Sequence, residues 1–288
     1  RFSTGGSTHA NQAIILALGK PGDKVAITRT AHRSVLSALV LTGLEPIWLT
    51  PDIDEATGVP TGIPVSELER VLDQKPIALL LTEPGYLGTI SELPALISKA
   101  HENSIPVIID AAWGGHFGFN ANIPQHVMQL GADALITSVH KALPGYSASA
   151  LLLAQGKFLN LARIEQSFET THTTSPAGAP LASIDGCRAL LQTRGDQLTG
   201  DLLKYVTDFK RQVQDHFESA TFLNPEQFAS GRFDPVKLVL RANLLGLSGV
   251  DVEKELQKAN IRVEMADRDT IVFLATLADN ADDFSVLA

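Results

Sequence analysis

The sequence has 288 residues, 44% of them hydrophobic and 19% charged, which is typical of a globular protein with a substantial core. Its 23 basic and 32 acidic residues give a formal net charge of −9, which disfavours binding to nucleic acid or anionic membranes because the average field repels both. The single cysteine, Cys187, excludes an internal disulfide, and no apolar run reaches the roughly 18 residues of a membrane span.

The low cysteine content favours a reducing compartment, and we therefore expect a cytoplasmic protein. The chain starts at Arg1 and already has the apolar character of a folded core at Ile14. We accordingly expect it to be a piece of a longer chain.

Short apolar runs bounded by Gly, Pro or Asp alternate with helical patterns over the first 154 residues. Runs that are apolar along their whole length are typical of strands buried on both faces. They predict strands at 24–28, 46–49, 77–81, 106–109, 134–138 and 148–153. Helical patterns lie between these runs, at 11–18, 34–41, 65–73, 93–103 and 127–130. This α/β alternation predicts a mostly parallel sheet flanked by helices.

The pattern changes after residue 154. A helix is predicted at 158–168, followed by a loop at 169–180 that is rich in Thr, Ser, Gly and Pro. Further helices are predicted at 181–191 and 196–217. The remainder reads as strand, helix, strand and strand, at 235–241, 250–259, 261–264 and 270–275. We therefore predict a large domain over residues 1–194 and a smaller C-terminal α+β domain over residues 195–288.

Glycine and hydroxyl residues come directly before the first helix, in the segment Ser3-Thr4-Gly5-Gly6-Ser7-Thr8-His9-Ala10-Asn11. Glycines let backbone amides turn toward an anion, and the N-terminus of a helix adds a favourable partial charge. Ser7 and Thr8 would add hydroxyl donors. The segment indicates a phosphate site, with a tight turn and a helix cap as the alternative.

Three further candidates each follow a predicted strand. Asp110 ends one run, Lys141 lies in Ser138-Val139-His140-Lys141 after another, and His32 follows a third. The alternatives are a turn or cap for Asp110, a solvated surface charge for Lys141, and a histidine bonded to a turn for His32. Ligands of parallel sheets bind at the carboxyl ends of the strands, so these groups should meet. A phosphate cradle, a flat imidazole, an acid and an amine together match pyridoxal phosphate.

The chain resembles the fold-type-I pyridoxal-phosphate enzymes, and within them the major region of the ornithine/lysine/arginine decarboxylase family. The resemblance is carried by Gly6-Ser7-Thr8-His9-Ala10-Asn11, Arg29-Thr30-Ala31-His32-Arg33-Ser34, Thr82-Glu83-Pro84-Gly85-Tyr86, Asp110-Ala111-Ala112-Trp113-Gly114-Gly115-His116-Phe117-Gly118 and Ser138-Val139-His140-Lys141. Later segments are also similar to that family: Thr174-Ser175-Pro176, Leu181-Ala182-Ser183-Ile184-Asp185, Asp234-Pro235-Val236-Lys237-Leu238 and Leu247-Ser248-Gly249.

The resemblance implies a role for each matched residue. Lys141 would hold the cofactor as a Schiff base, and Asp110 would pair with the pyridine nitrogen. His32 would stack on one face of the ring, and Ala112 would pack against the other. The phosphate would be held by Ser7, Thr8, Ser138 and His140.

The resemblance also implies an assembly and a substrate class. Thr174 or Ser175 would reach the phosphate of a neighbouring subunit in a homodimer or a larger homo-oligomer, and no metal site is expected. The implied reaction is decarboxylation of an amino acid, basic in the family, to an amine and carbon dioxide. Trp113 stands where the family usually has histidine, and Leu87 stands where it often has an acid. An aminotransferase, another lyase, or a non-catalytic module of the same fold are the alternatives.

Overall fold

A seven-stranded sheet forms the larger part of the fold in a computed structural model, which describes residues 1–217, 221–228 and 231–287. Its strands are β1 (Phe2–Ser3), β2 (Lys24–Thr28), β3 (Glu45–Leu49), β4 (Leu79–Thr82), β5 (Val107–Asp110), β6 (Ala134–Ser138) and β7 (Ala150–Ala154). They lie in the order β1-β7-β6-β5-β4-β2-β3. Strands β2 to β6 pair in parallel, whereas β7 is antiparallel to β6 and β1. The predicted mostly parallel sheet is confirmed.

Helices cover both faces of this sheet. They are α1 (Gly6–Leu18), α2 (Arg33–Thr42), α3 (Val65–Val71), α4 (Leu93–Glu102), α5 (Leu161–Thr171) and α6 (Gly178–His216). Successive strand residues point to opposite faces, so Leu79 and Leu81 pack in one core cluster with α3, α4 and α6. Leu80 packs in a second cluster with α1, α2 and α5. Burial on both faces explains why the central strands are apolar at successive positions.

A second, three-stranded antiparallel sheet follows α6. It is formed by β8 (Leu238–Arg241), β9 (Met265–Ala266) and β10 (Thr270–Phe273) in the order β8-β10-β9, with helices α7 (Gly249–Lys258) and α8 (Ala281–Leu287). The domain boundary near Arg194 falls inside α6 and stays a prediction. Residues 218–220, 229, 230 and 288 of the predicted smaller domain lie outside the described residues.

Three local predictions are wrong. The two helices predicted at 181–191 and 196–217 are one continuous helix, α6, while the loop predicted at 169–180 is present but shorter, at 172–177. Gly195, which lies between the two predicted helices, allows close packing, because a Cβ there would lie 2.7 Å from Phe119 Cδ1. Residues 127–130 form turns, since the segment is short and ends at Gly131 with φ of 100°. Residues 261–264 are not a strand, because Ile261 N–H still bonds to α7 at Leu256 and the ladder begins at Met265.

The structure adds elements that the sequence patterns did not reveal. The short strand β1 pairs with β7, and α8 closes the described chain. Helix α1 begins at Gly6, five residues before the predicted start. Within the described ranges, no helix is both long and apolar enough to cross a membrane.

Candidate active site

A cleft lies at the carboxyl ends of the central strands. It has a volume of about 610 Å³, which is the size expected of a small-molecule site. All of the residues predicted to hold or react with a cofactor line it: Ser7, Thr8, His32, Asp110, Ala112, Ser138, His140 and Lys141. The parallel topology brings these segments together, although they are distant in sequence.

Asp110 is the last residue of β5 and is 1% exposed. Asn11 Nδ2 donates a hydrogen bond to its Oδ2 at 2.7 Å, and the Ala112 amide donates to its Oδ1 at 3.1 Å. Burial raises the pKa of the Asp110 carboxyl, while these two donors and the charges of Lys141 and His32 oppose the increase. The Ala112 bond to the Asp110 side chain is the turn contact that was the alternative role of Asp110. Asp110 also lines the cleft, so the two roles coexist.

Lys141 follows β6 and is partly buried, so it is not the solvated surface charge that was its alternative. Its Nζ lies 4.4 Å from the centroid of the Trp113 ring. Burial lowers the pKa of Lys141, and the charges of Asp110 and Glu264 partly offset this effect. A lowered pKa increases the fraction of the neutral amine, which is the nucleophilic form.

The glycine-rich segment links β1 to α1, with Gly6 at a φ of 68°. No side chain of the described residues caps the start of α1, so the expected side-chain cap is absent there. Ser7 Oγ and Ser138 Oγ lie 2.8 Å apart at this end of the cleft. Hydroxyls and a helix N-terminus are the donors that a phosphate requires.

His140 contributes an imidazole to the same end of the cleft. Its Nδ1 donates to the Ser149 carbonyl at 2.8 Å, which fixes the orientation of the ring. The remaining ring nitrogen, Nε2, is then free to bind a group in the cleft.

His32 caps helix α2, as its alternative role expected, and it also lines the cleft. Stacking of its ring on a cofactor stays a prediction. Ser34 N–H donates to His32 Nδ1 at 3.2 Å, and Ser34 Oγ donates to the same atom at 2.8 Å. Burial lowers the pKa of His32, which favours the neutral ring. Ser34 Oγ in turn accepts from Asn11 Nδ2 at 3.1 Å, so a chain of hydrogen bonds joins His32 to Asp110.

Three side chains without a predicted role form another wall of the cleft. Tyr86 and Trp113 pack edge to face with ring centroids 5.4 Å apart, and Tyr86 Oη donates to Glu264 Oε1 at 3.1 Å. Burial and the charge of Glu264 raise the pKa of Tyr86 to about 12, so its hydroxyl remains a donor at neutral pH. Glu264 comes from the loop between α7 and β9, and no sequence pattern connects it to Tyr86.

Asn11 is a further residue whose role the sequence did not reveal, although it lies in the quoted glycine-rich segment. Thr174 and Ser175 lie in the exposed connection between α5 and α6 and do not line the cleft. Contact of either residue with a neighbouring subunit stays a prediction.

Comparison with known proteins identifies the family. Residues 2–283 match the model of the Orn/Lys/Arg decarboxylase major domain. The chain belongs to the Orn/Lys/Arg decarboxylase family. A family member, the arginine decarboxylase of Bacillus subtilis (strain 168), is 34% identical over 288 residues, covering 98% of this chain and 59% of the relative. The arginine decarboxylase of Bacillus cereus is 32% identical, over 99% of this chain and 63% of the relative.

Solved structures agree with this assignment at the level of the fold. Lysine decarboxylase A from Pseudomonas aeruginosa superposes with a TM-score of 0.85 and 19% identity, over 99% of this chain and 47% of the other. Alanine–glyoxylate aminotransferase from Nostoc superposes with a TM-score of 0.75 and 15% identity, over 99% of this chain and 78% of the other. The predicted family and fold-type-I class are therefore confirmed. This member of the family spans 59% of the length of its Bacillus subtilis relative.

Proposed function

We propose that the protein containing this chain is a pyridoxal-phosphate-dependent decarboxylase that acts on a basic amino acid. The observation that carries the proposal is one cleft holding the partly buried Lys141, the buried Asp110 and the Ser7–Ser138 hydroxyl pair. An amine, an acid and a phosphate-binding end are the groups this cofactor requires of a protein.

The residues of the cleft fit the cofactor. The carboxylate of Asp110 is buried and held by two donors, as a partner for a ring N–H must be. Ala112 is small enough for a flat ring to approach, and His32 supplies a flat, largely neutral imidazole. The uncapped start of α1, together with Ser7, Thr8, Ser138 and His140, supplies donors for a phosphate.

When bound, pyridoxal phosphate supplies an electron sink for the electrons of the bond broken at the substrate Cα. Asp110 would pair with the pyridine nitrogen and favour its protonated form, because a nearby carboxylate favours the cation. Asn11 and the Ala112 amide hold the carboxylate in place. The Lys141 amine would hold the cofactor, and its place in the cleft would let it move a proton at the substrate Cα.

The wall formed by Trp113, Tyr86 and Glu264 supports a basic substrate. Glu264 places a carboxylate in the cleft, and its charge partly offsets the lowering of the Lys141 pKa by burial, so the two groups interact. A guanidinium or ammonium group at the far end of the substrate would pair with this carboxylate. The faces of the two aromatic rings would stabilise the same cation.

We further propose that the full-length protein forms a homodimer or a larger homo-oligomer in which Thr174 or Ser175 approaches the site of the neighbouring subunit. Exposure of the α5–α6 connection leaves both side chains available for such a contact. Sedimentation velocity of the full-length protein checks the assembly, and a monomer at working concentrations would contradict it.

An aminotransferase is the second candidate. Trp113 replaces the histidine expected beside the reacting centre, and an aminotransferase is among the solved structures with the same fold. The same Lys141 and Asp110 would serve either reaction, because the bond aligned at Cα decides which one breaks.

The test uses the full-length protein with arginine, lysine and ornithine. Decarboxylation releases carbon dioxide and leaves an amine, whereas transamination leaves a keto acid. Reduction with borohydride followed by peptide mapping should place a pyridoxyl group on Lys141. An unmodified Lys141 in protein reconstituted with the cofactor would contradict both candidate reactions.

A further inference from the structure

Lys237 lies behind the wall of the cleft. It precedes β8, is only 5% exposed, and points its Nζ at the Trp113 ring with a centroid distance of 3.6 Å. The same Nζ lies 5.3 Å from the centroid of Tyr86. Two aromatic side chains of the wall therefore share one buried ammonium group.

Trp113 separates this ammonium from the cleft. Trp113 lines both the cleft and a small cavity of about 10 Å³, whereas Lys237 lines only the small cavity, together with His116 and Asp234. Lys237 therefore contacts the far side of the wall and does not touch the space available to a substrate.

The position of Lys237 is fixed by its backbone and by buried charges. Lys237 N–H donates to the Asp234 carbonyl at 3.0 Å, and His116 Nε2 donates to Asp234 Oδ1 at 3.1 Å. The charges of Asp234 and Glu264 favour the ammonium form of Lys237, while Lys141 opposes it. These groups, with the hydroxyl of Tyr86, are the titratable neighbours of Lys237.

The surroundings of Lys237 are costly for a charge. Its Nζ has no hydrogen-bond partner among the protein atoms of the described residues. A buried ammonium without such a partner destabilises a fold relative to an apolar side chain of similar size. Attraction to an aromatic face is strongest when the cation is desolvated, so the Trp113 contact offsets part of this cost.

We propose that Lys237 is a positioning residue, whose buried ammonium holds the Trp113 indole and the Tyr86 ring in the wall of the cleft. Through Tyr86 it also supports Glu264, which accepts the hydrogen bond of the tyrosine. A positioning residue of this kind raises kcat/KM but lowers the stability of the fold. A purely structural lysine would instead contribute to stability and leave kcat/KM unchanged.

The kinetic test compares Lys237→Met with Lys210→Met in the full-length protein, and this arm rests on the proposed function. Lys210 is a matched control because it is also buried, its pKa is also lowered to about 8 by burial, and it donates to Leu223 O and Asn224 Oδ1. Lys237→Met should lower kcat/KM about tenfold while its Tm stays equal to or above that of the wild type. Lys210→Met should lower Tm and leave kcat/KM unchanged.

A second arm needs no turnover. The protein is labelled with 5-fluorotryptophan, and the Trp113 resonance is assigned by its loss in Trp113→Phe. Burial lowers the pKa of Lys237 to about 8, so this ¹⁹F resonance should shift with a midpoint near pH 8 in the wild type. The component with this midpoint should persist in Lys210→Met and disappear in Lys237→Met. A shift caused by Lys141, whose Nζ lies 4.4 Å from the same ring, should remain in both variants.

The two arms fail for different reasons. A pH titration of the Trp113 ¹⁹F resonance that is the same in the wild type and in Lys237→Met overturns the positioning role, because Lys237 then does not act on the indole. A Lys237→Met protein with the kcat/KM of the wild type and a lower Tm also overturns it, since the residue is then merely structural. Absence of decarboxylation by every variant refutes the proposed function and leaves the NMR result decisive for Lys237.

Discussion

Replacing Glu264 by glutamine removes the carboxylate of the cleft with little change in shape. Glutamine Oε1 can still accept the hydrogen bond that Tyr86 Oη donates at 3.1 Å, so the wall should stay in place. What disappears is the charge that would pair with the distal cation of the substrate. The variant therefore isolates the electrostatic part of substrate recognition.

The magnitude follows from the kind of contact that is lost. A hydrogen bond to a charged partner contributes about 2 kcal/mol, which corresponds to about a thirtyfold decrease in kcat/KM. The decrease should apply to the cationic substrate alone. A neutral analogue of the same length should show nearly equal kcat/KM values with the wild type and with Glu264→Gln.

The assay is a cycle of four kcat/KM values. Wild type and Glu264→Gln are each measured with arginine and citrulline, or with lysine and 6-hydroxynorleucine, whichever basic amino acid the protein decarboxylates. The coupling free energy from the cycle should be about 2 kcal/mol. Glu255→Gln on α7 is the matched control, because Glu255 pairs with Lys258 at the surface. A coupling near zero would refute the assignment of Glu264 to the substrate.

Three further predictions concern the cofactor site and the fold. Lys141→Ala should abolish both turnover and the borohydride-trapped adduct, and an adduct retained elsewhere in the site would contradict the role of Lys141. Burial raises the pKa of Glu83 to about 7 from 4.5, so its protonated form is favoured in the fold and its contribution to stability is lost as pH rises through about 7. Glu83→Gln should therefore be more stable than the wild type by roughly 3 kcal/mol at pH 8 and similar to it at pH 4, measured by urea unfolding; an equal difference at both pH values would contradict the burial effect. Gly195→Ala should destabilise the protein by about 1–3 kcal/mol, because the new Cβ would overlap Phe119, and an unchanged midpoint of unfolding would show that the ring can move.

Much of the central sheet could be predicted from its apolar runs. Strands β2 and β6 have the predicted bounds, since each is buried on both faces and bounded by polar or turn residues. The single helix α6 could not be predicted, because a glycine such as Gly195 disfavours the interior of a helix. Only the structure shows that the close contact with Phe119 requires a glycine there. Strand β9 depends on pairing with β10, which the local pattern does not encode.

The candidate site shows the same division. Asp110, Lys141 and His32 could be predicted because each follows a strand, and the topology then brings them together. The links of Asn11 to Asp110 and of Tyr86 to Glu264 span 99 and 178 residues. Contacts at such separations arise from the tertiary fold, and neither end carries a local signal.

The length of α6 has a consequence for how the protein denatures. The helix has 39 residues, and Ile184 near its start and Phe209 near its end belong to the same apolar cluster as Leu79 of β4 and Phe273 of β10. Unfolding of either sheet would remove apolar contacts from α6, and α6 also packs against the other sheet. Heat or urea should consequently disrupt the two sheets in one cooperative transition, with little room for a half-folded state.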